Sequence, residues 1–233
     1  MKRAILEKLQ VARAAKRPVA LATDVKTGAQ ILLDGGNASG DLSLAPDAMA
    51  TVKKALDDDK SGMVDTSAGP LFVQVFNPPL RMVVVGAVHI AQALAPMAAL
   101  TGYEVVIVDP RRAFATDARF PNTKVTTEWP DDALARLQPD RRTAIVTLTH
   151  DPKIDDPALQ AALQSEAFYI AALGSKKTHA ARLARLKKAG FDDATTARIH
   201  GPAGLPIGAQ SPAEIALSIM GQATQALHGR DAA

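Results

Sequence analysis

From residue 81 onward, short runs of valine, isoleucine and alanine alternate with segments of helical periodicity, and this alternation restricts the chain more than any other feature. Strands are expected at Arg81 to Val85, Tyr103 to Val108, Lys124 to Thr126, Thr143 to Leu148 and Phe168 to Leu173. Helices are expected at His89 to Leu100, Asp131 to Leu137 and Pro157 to Gln164, and another opens at Lys176 and ends near Gly190. Strands that are apolar throughout rather than alternating require cover on both faces, which is the condition of a parallel sheet between helix layers. With 233 residues, 47% of them hydrophobic, the chain can bury one large core and a small second one. Ser211-Pro-Ala-Glu214 marks the last helix with an N-cap serine, a first-turn proline and a capping-box glutamate.

Asn77-Pro78-Pro79 breaks the pattern before this region, since neither proline donates a backbone hydrogen bond. The expected fold class is therefore α/β: a Rossmann-like parallel-sheet domain over residues 78–233, preceded by a small α+β domain over residues 1–77. In the smaller domain, helices are expected from Met1 to Ala15 and from Pro46 to Leu56. Strand-like runs cover Pro18 to Thr23 and Ala29 to Leu33, a hairpin joins Gly62–Thr66 to Leu71–Phe76, and Asp34 to Gly40 reads as a mobile loop.

Composition removes several function classes. Lys plus Arg number 27 against 24 for Asp plus Glu, so the formal charge of +3 gives no ground for a nucleic-acid partner. The chain has no cysteine, so it forms no disulfide, thiolate metal site or cysteine nucleophile and carries no persulfide. No window reaches 18 uninterrupted apolar residues, and the charged N-terminal stretch lacks the apolar core of a secretory signal; a cytoplasmic protein without a membrane partner is the expectation.

Candidate binding residues cluster where strands give way to helices. Val83-Val-Val-Gly86-Ala-Val-His89-Ile-Ala91 occupies such a turn, and Asp109 ends the next strand, where dinucleotide-binding folds place a ribose-binding acid; Arg111 follows it. The middle glycine of that fingerprint is Val88 here, whose branched side chain is expected to obstruct a pyrophosphate, so NAD(P) is not the expected ligand. Gly86 and Ala91 as packing residues, with Asp109 as a turn cap, remain an equal alternative. His150 and Asp151 follow an apolar strand at a ligand-bearing edge, although strand-exit capping explains them as well. Asp155 and Asp156 read as helix-capping and dipole residues. Gly174-Ser175-Lys176-Lys177 opens a helix with two cations at its positive end, an arrangement better explained by a bound anion than by the helix alone. Gly204 lies in a Gly/Pro-rich loop that either closes over the crevice or serves as a rigid connection. No catalytic residue or metal-ligand set is assigned, since no Gly-x-Ser-x-Gly elbow and no Walker loop occurs.

Taken in order, Gly86-Ala-Val-His-Ile-Ala91, Asp109-Pro-Arg111, Thr149-His-Asp151, Gly174-Ser-Lys-Lys177, Gly201-Pro-Ala-Gly-Leu-Pro-Ile-Gly208 and Ser211-Pro-Ala-Glu-Ile-Ala216 resemble the xanthine dehydrogenase accessory family, XdhC/CoxI, over about residues 80 to 228. The resemblance implies a protein that binds the molybdenum cofactor (molybdopterin, with or without its nucleotide), supports sulfuration by a separate cysteine desulfurase, and delivers the cofactor to a molybdenum hydroxylase client. It also implies a homodimer. Many relatives carry Gly-Gly-Cys-Val-Glu where this chain has Gly35-Gly-Asn-Ala-Ser-Gly-Asp41, and glycine where it has Val88. An NAD(P)-dependent oxidoreductase and a non-catalytic interaction protein with a decayed ligand site are the competing readings.

Overall fold

A computed structural model describes residues 2–229 and divides the chain between Pro78 and Pro79 into two compact units. In the first unit, helix α1 (Arg3–Ala14) precedes strands β1 (Val19–Asp24), β2 (Gln30–Asp34) and β3 (Asn37–Gly40), helix α2 (Pro46–Asp57) and strands β4 (Gly62–Thr66) and β5 (Gly69–Phe76). The strands form one antiparallel sheet in the order β3-β2-β1-β5-β4. Central β1 is buried on both faces. Val19 and Leu21 pack with Ile5, Leu9 and Ala12 of α1, while Ala20 and Ala22 pack with Ala48 and Val52 of α2.

The expected mobile loop from Asp34 to Gly40 is instead a tight hairpin. Gly35 and Gly36 have φ of +56° and +92°, and Asp34 pairs with Asn37 across a two-residue turn that needs left-handed backbone at both positions. The polar strand Asn37–Gly40 lacks the apolar signature because it is an exposed edge.

The second unit runs β6 (Leu80–Val85), α3 (His89–Leu100), β7 (Tyr103–Val108), β8 (Lys124–Thr126), α4 (Pro130–Leu137), β9 (Thr143–Thr147), α5 (Pro152–Leu163), β10 (Tyr169–Ala172), α6 (Lys176–Lys188), α7 (Asp193–Thr196), β11 (Ile199–His200) and α8 (Pro212–Leu227). All six strands are parallel, in the order β11-β10-β9-β6-β7-β8. Met82, Val84, Ile107, Ala144 and Val146 pack beneath α3 and α8, whereas Val83, Val85, Val106, Ile145 and Ile170 pack on the opposite side with residues of α4, α5 and α6. The chain reverses direction across the sheet between β6 and β9, and such a switch point opens a crevice at the carboxyl ends of the strands.

Helix α5 starts five residues before the expected Pro157. Asp151 is its N-cap, accepting from Lys153 N at 2.9 Å, and Pro152 takes the first helical position. Pro157 lies within the helix, where it forgoes one backbone hydrogen bond. Asp155 and Asp156 are thus helical residues rather than the N-cap, and Asp155 stands as an acid in the first turn, as expected for a dipole residue. None of the helices among the described residues is long and apolar enough to cross a membrane.

Candidate functional site

The carboxyl edge of the parallel sheet gathers the turns that carry every candidate residue. Gly86 and His89 follow β6, Asp109 and Arg111 follow β7, His150 and Asp151 follow β9, Gly174 to Lys177 follow β10, and Gly204 follows β11. At the switch point, Gly86 adopts φ +113°. A Cβ there would lie 2.7 Å from Thr149 Cγ2, so glycine is what lets the β6 and β9 turns touch.

Val88 is the N-cap of α3 and supplies no side-chain hydrogen bond. Its φ of −91° is an ordinary extended conformation, and its side chain packs against the apolar layer under α3. The first-turn amides of α3 therefore have no side-chain acceptor, a favourable arrangement for an anion, and His89 is exposed beside them. Of the other helices that begin along this edge, α5, α6 and α8 are capped by Asp151, Ser175 and Ser211, Ser175 Oγ accepting from Thr178 N at 3.1 Å, while α4 starts at Trp129 without a side-chain cap. Lys176 and Lys177 stand exposed at the start of α6.

Asp109 is fully buried, and both of its oxygens are engaged. Ala87 N–H donates to Oδ2 at 2.8 Å, and Arg111 donates from Nε to Oδ1 at 2.9 Å, from Nη2 to Oδ2 at 2.7 Å and from its backbone N–H to Oδ1 at 3.0 Å. Burial raises the Asp109 pKa, but these hydrogen bonds outweigh it and hold the carboxyl below its ordinary range. Four donors fill the acceptor capacity of a carboxylate, so no lone pair is left for a ribose diol.

Two buried charges hold these turns, and neither is assigned to the core from the sequence. Asp155, 2% exposed, accepts from Thr149 Oγ1 at 2.7 Å and from His150 N–H at 3.1 Å, fixing the turn in which His150 holds a φ of +62°. Arg182, 1% exposed, donates from Nη2 to Leu173 O at 2.8 Å and lies 3.9 Å from Asp155 Oδ2; its Nε and Nη1 are buried without a hydrogen-bond partner. Desolvation raises the Asp155 pKa and lowers that of Arg182. The sequence signal was spacing: Arg182 stands four residues before buried Leu186, on the inward face of α6. Arg182 thus belongs to the core beneath the β10 turn, unlike the exposed Lys176 and Lys177 at the start of the same helix. Gly204 is tied to α8, its N–H donating to Gln222 Oε1 at 2.8 Å, and a Cβ there would meet Ser218 Oγ at 2.2 Å. Leu205 N–H adds a bond to Ser218 O, so this part of the loop is anchored.

A family model described as the XdhC Rossmann domain matches residues 82–223, the parallel sheet and all its crossovers. The chain belongs to the XdhC Rossmann domain family. Among curated relatives, a protein named molybdenum cofactor insertion chaperone PaoD from Escherichia coli is 35% identical over 147 residues, 63% of this chain and 40% of that one. A protein from Bacillus subtilis, named as a probable xanthine dehydrogenase subunit, is 30% identical over 156 residues, 66% of this chain and 45% of that one. The chain thus spans less than half the length of these two relatives. A solved structure described as a xanthine dehydrogenase from Bacillus halodurans superposes with a TM-score of 0.71 at 23% identity, covering 98% of this chain and 65% of that one; at this identity it shows the fold.

Proposed function

We propose that the chain binds the molybdenum cofactor as cargo at the carboxyl edge of the XdhC Rossmann sheet and supports its insertion into a molybdenum hydroxylase of the xanthine dehydrogenase or carbon-monoxide-dehydrogenase type. The similarity to a relative named as a molybdenum cofactor insertion chaperone carries this reading. The residues fit such a cargo, which presents a phosphate and a flat pterin. Gly86 brings the β6 and β9 turns together at the switch point without a side chain between them, the uncapped first turn of α3 offers amide donors beside His89, and Lys176 and Lys177 add exposed cations after Gly174. His150 and Asp151 border the same crevice. Because the chain contains no cysteine, sulfur for the cofactor is supplied by a partner such as a cysteine desulfurase. The same reading places the protein in the cytoplasm with its client.

An NAD-dependent oxidoreductase of the Rossmann type uses an acid to read the ribose diol, and the saturated hydrogen bonding of Asp109 weighs against it. The test is purification of the protein alongside candidate molybdenum hydroxylases, followed by molybdenum and pterin analysis of each fraction. Cofactor retained by this chain, and client activity that depends on it, are expected. Client activity that is unchanged without the protein, together with micromolar NADH affinity, would overturn the proposal.

A further inference from the structure

We infer that the Arg111 guanidinium is a stacking platform for the flat heteroaromatic ring of a nucleotide or pterin ligand. This deepens the cargo-binding reading above and rests on it. The side-on fork of Arg111 is engaged: Nε and Nη2 both donate to Asp109, itself buried and anchored to the β6 turn through Ala87 N–H, which fixes the guanidinium plane and leaves the Nη1 N–H groups for other acceptors. What the clamp leaves is a planar cation of fixed orientation. Phe114 packs against it with the guanidinium carbon 4.6 Å from the ring centroid, and Arg119 backs the same phenyl ring at 5.7 Å. Arg119 is fastened in turn, donating from Nη1 to Ala87 O at 2.7 Å and to Phe114 O at 2.9 Å and from Nη2 to Gln92 Oε1 at 3.1 Å.

The assembly is accessible as well as rigid. The Arg111 side chain is 35% exposed and Phe114 is 42% exposed. A guanidinium held in a fixed plane by its carboxylate attracts the face of an aromatic system, and every purine or pterin offers such a face. Position agrees with this role. Arg111 leaves β7, while Lys176 and Lys177 follow β10, three strands along the order β7-β6-β9-β10. At about 4.8 Å per strand, this separates ring and anion corners by roughly 14 Å, comparable to the length of a nucleoside diphosphate.

The test compares three probes on the whole protein by calorimetry: inorganic pyrophosphate, GDP and CDP, with 6-hydroxymethylpterin as a phosphate-free arm. GDP is expected to bind roughly 2- to 30-fold more tightly than pyrophosphate. CDP, with its smaller ring, should fall between them, and binding of the pterin alone would show that the ring corner also accepts a pterin. Arg111→Lys keeps the charge and removes the plane, so it should bring GDP to the pyrophosphate level while leaving pyrophosphate affinity unchanged. Should that variant fold poorly, Phe114→Leu, at a half-exposed position, should narrow the GDP advantage through loss of the flat support. Pyrophosphate binding that depends on Lys176 and Lys177 with no GDP advantage in the unaltered protein would overturn the platform and leave the anion site standing. A GDP advantage preserved in both variants would also overturn it. Absence of binding by every probe would remove the cargo site and the platform together.

Discussion

Replacing Asp155 with alanine tests whether the crevice is organised by a buried charge pair. Three donors converge on this carboxylate: Thr149 Oγ1 at 2.7 Å, His150 N–H at 3.1 Å and Thr149 N–H at 3.4 Å, and Arg182 lies 3.9 Å away. The substitution strands buried donors and leaves Arg182 without this carboxylate, and breaking a buried pair in this way costs about 3–5 kcal/mol. For a domain of this size, 1 kcal/mol moves Tm by about 2–4 °C, so Tm should fall by roughly 6–20 °C. Asp155→Asn keeps one acceptor and should fall less, while adding Arg182→Met to it should recover part of the loss by removing the unpaired cation. Trp129, the single tryptophan, stands at the start of α4, and its fluorescence follows unfolding of this unit separately from the first. Burial raises the Asp155 pKa, so the folded state holds the proton longer than the unfolded chain does. The contribution of this group to stability therefore declines as pH rises from its unfolded value through its folded one, then levels off. Subtracting the Asp155→Asn profile from that of the parent should isolate this decline. An Asp155→Ala protein that melts with the parent would refute the reasoning.

Gly86→Ala should destabilise by about 1–3 kcal/mol in urea unfolding, because φ +113° is unfavourable for alanine and the new Cβ meets Thr149; an unchanged midpoint would show that the two turns separate freely. Ser211→Ala should cost about 0.5–2 kcal/mol by removing the side-chain acceptor for Glu214 N–H. Backbone N–H groups of Ser211 and Gln210 hold the Glu214 pKa below its usual value, so its share of stability is present above the unfolded pKa and is lost as pH falls through the folded one. Glu214→Gln should flatten that acidic slope, and an unaltered slope would count against the capping box.

The periodicity of the second unit made the parallel sheet legible, since its strands are buried on both faces and carry no alternation to misread. Features that depend on backbone sign or on distant partners were harder to see. The Gly35–Gly36 turn resembles a flexible linker until its two positive φ values pair Asp34 with Asn37. Pro157 resembles a helix start because local sequence cannot show that Asp151 and Pro152 have already opened the helix. Among the candidate residues, the sequence located the turns but not the traffic between them. Asp109 as a ribose acid and Asp109 as an anchor for Arg111 read identically in one dimension. Arg182 counts as surface charge until its burial beneath Leu173 is seen.

The most direct measurement is equilibrium binding of molybdopterin to the purified protein and to Lys176→Ala and Lys177→Ala, with thermal unfolding of each. Saturable binding to the parent is expected, weakened by roughly 10- to 150-fold where a charged hydrogen bond to the cargo is lost, with thermal stability unchanged or slightly raised because the removed cations oppose the α6 dipole. Unchanged affinity in both variants would move the anion site away from α6, and the absence of saturable binding to the parent would contradict the cofactor-carrying function itself.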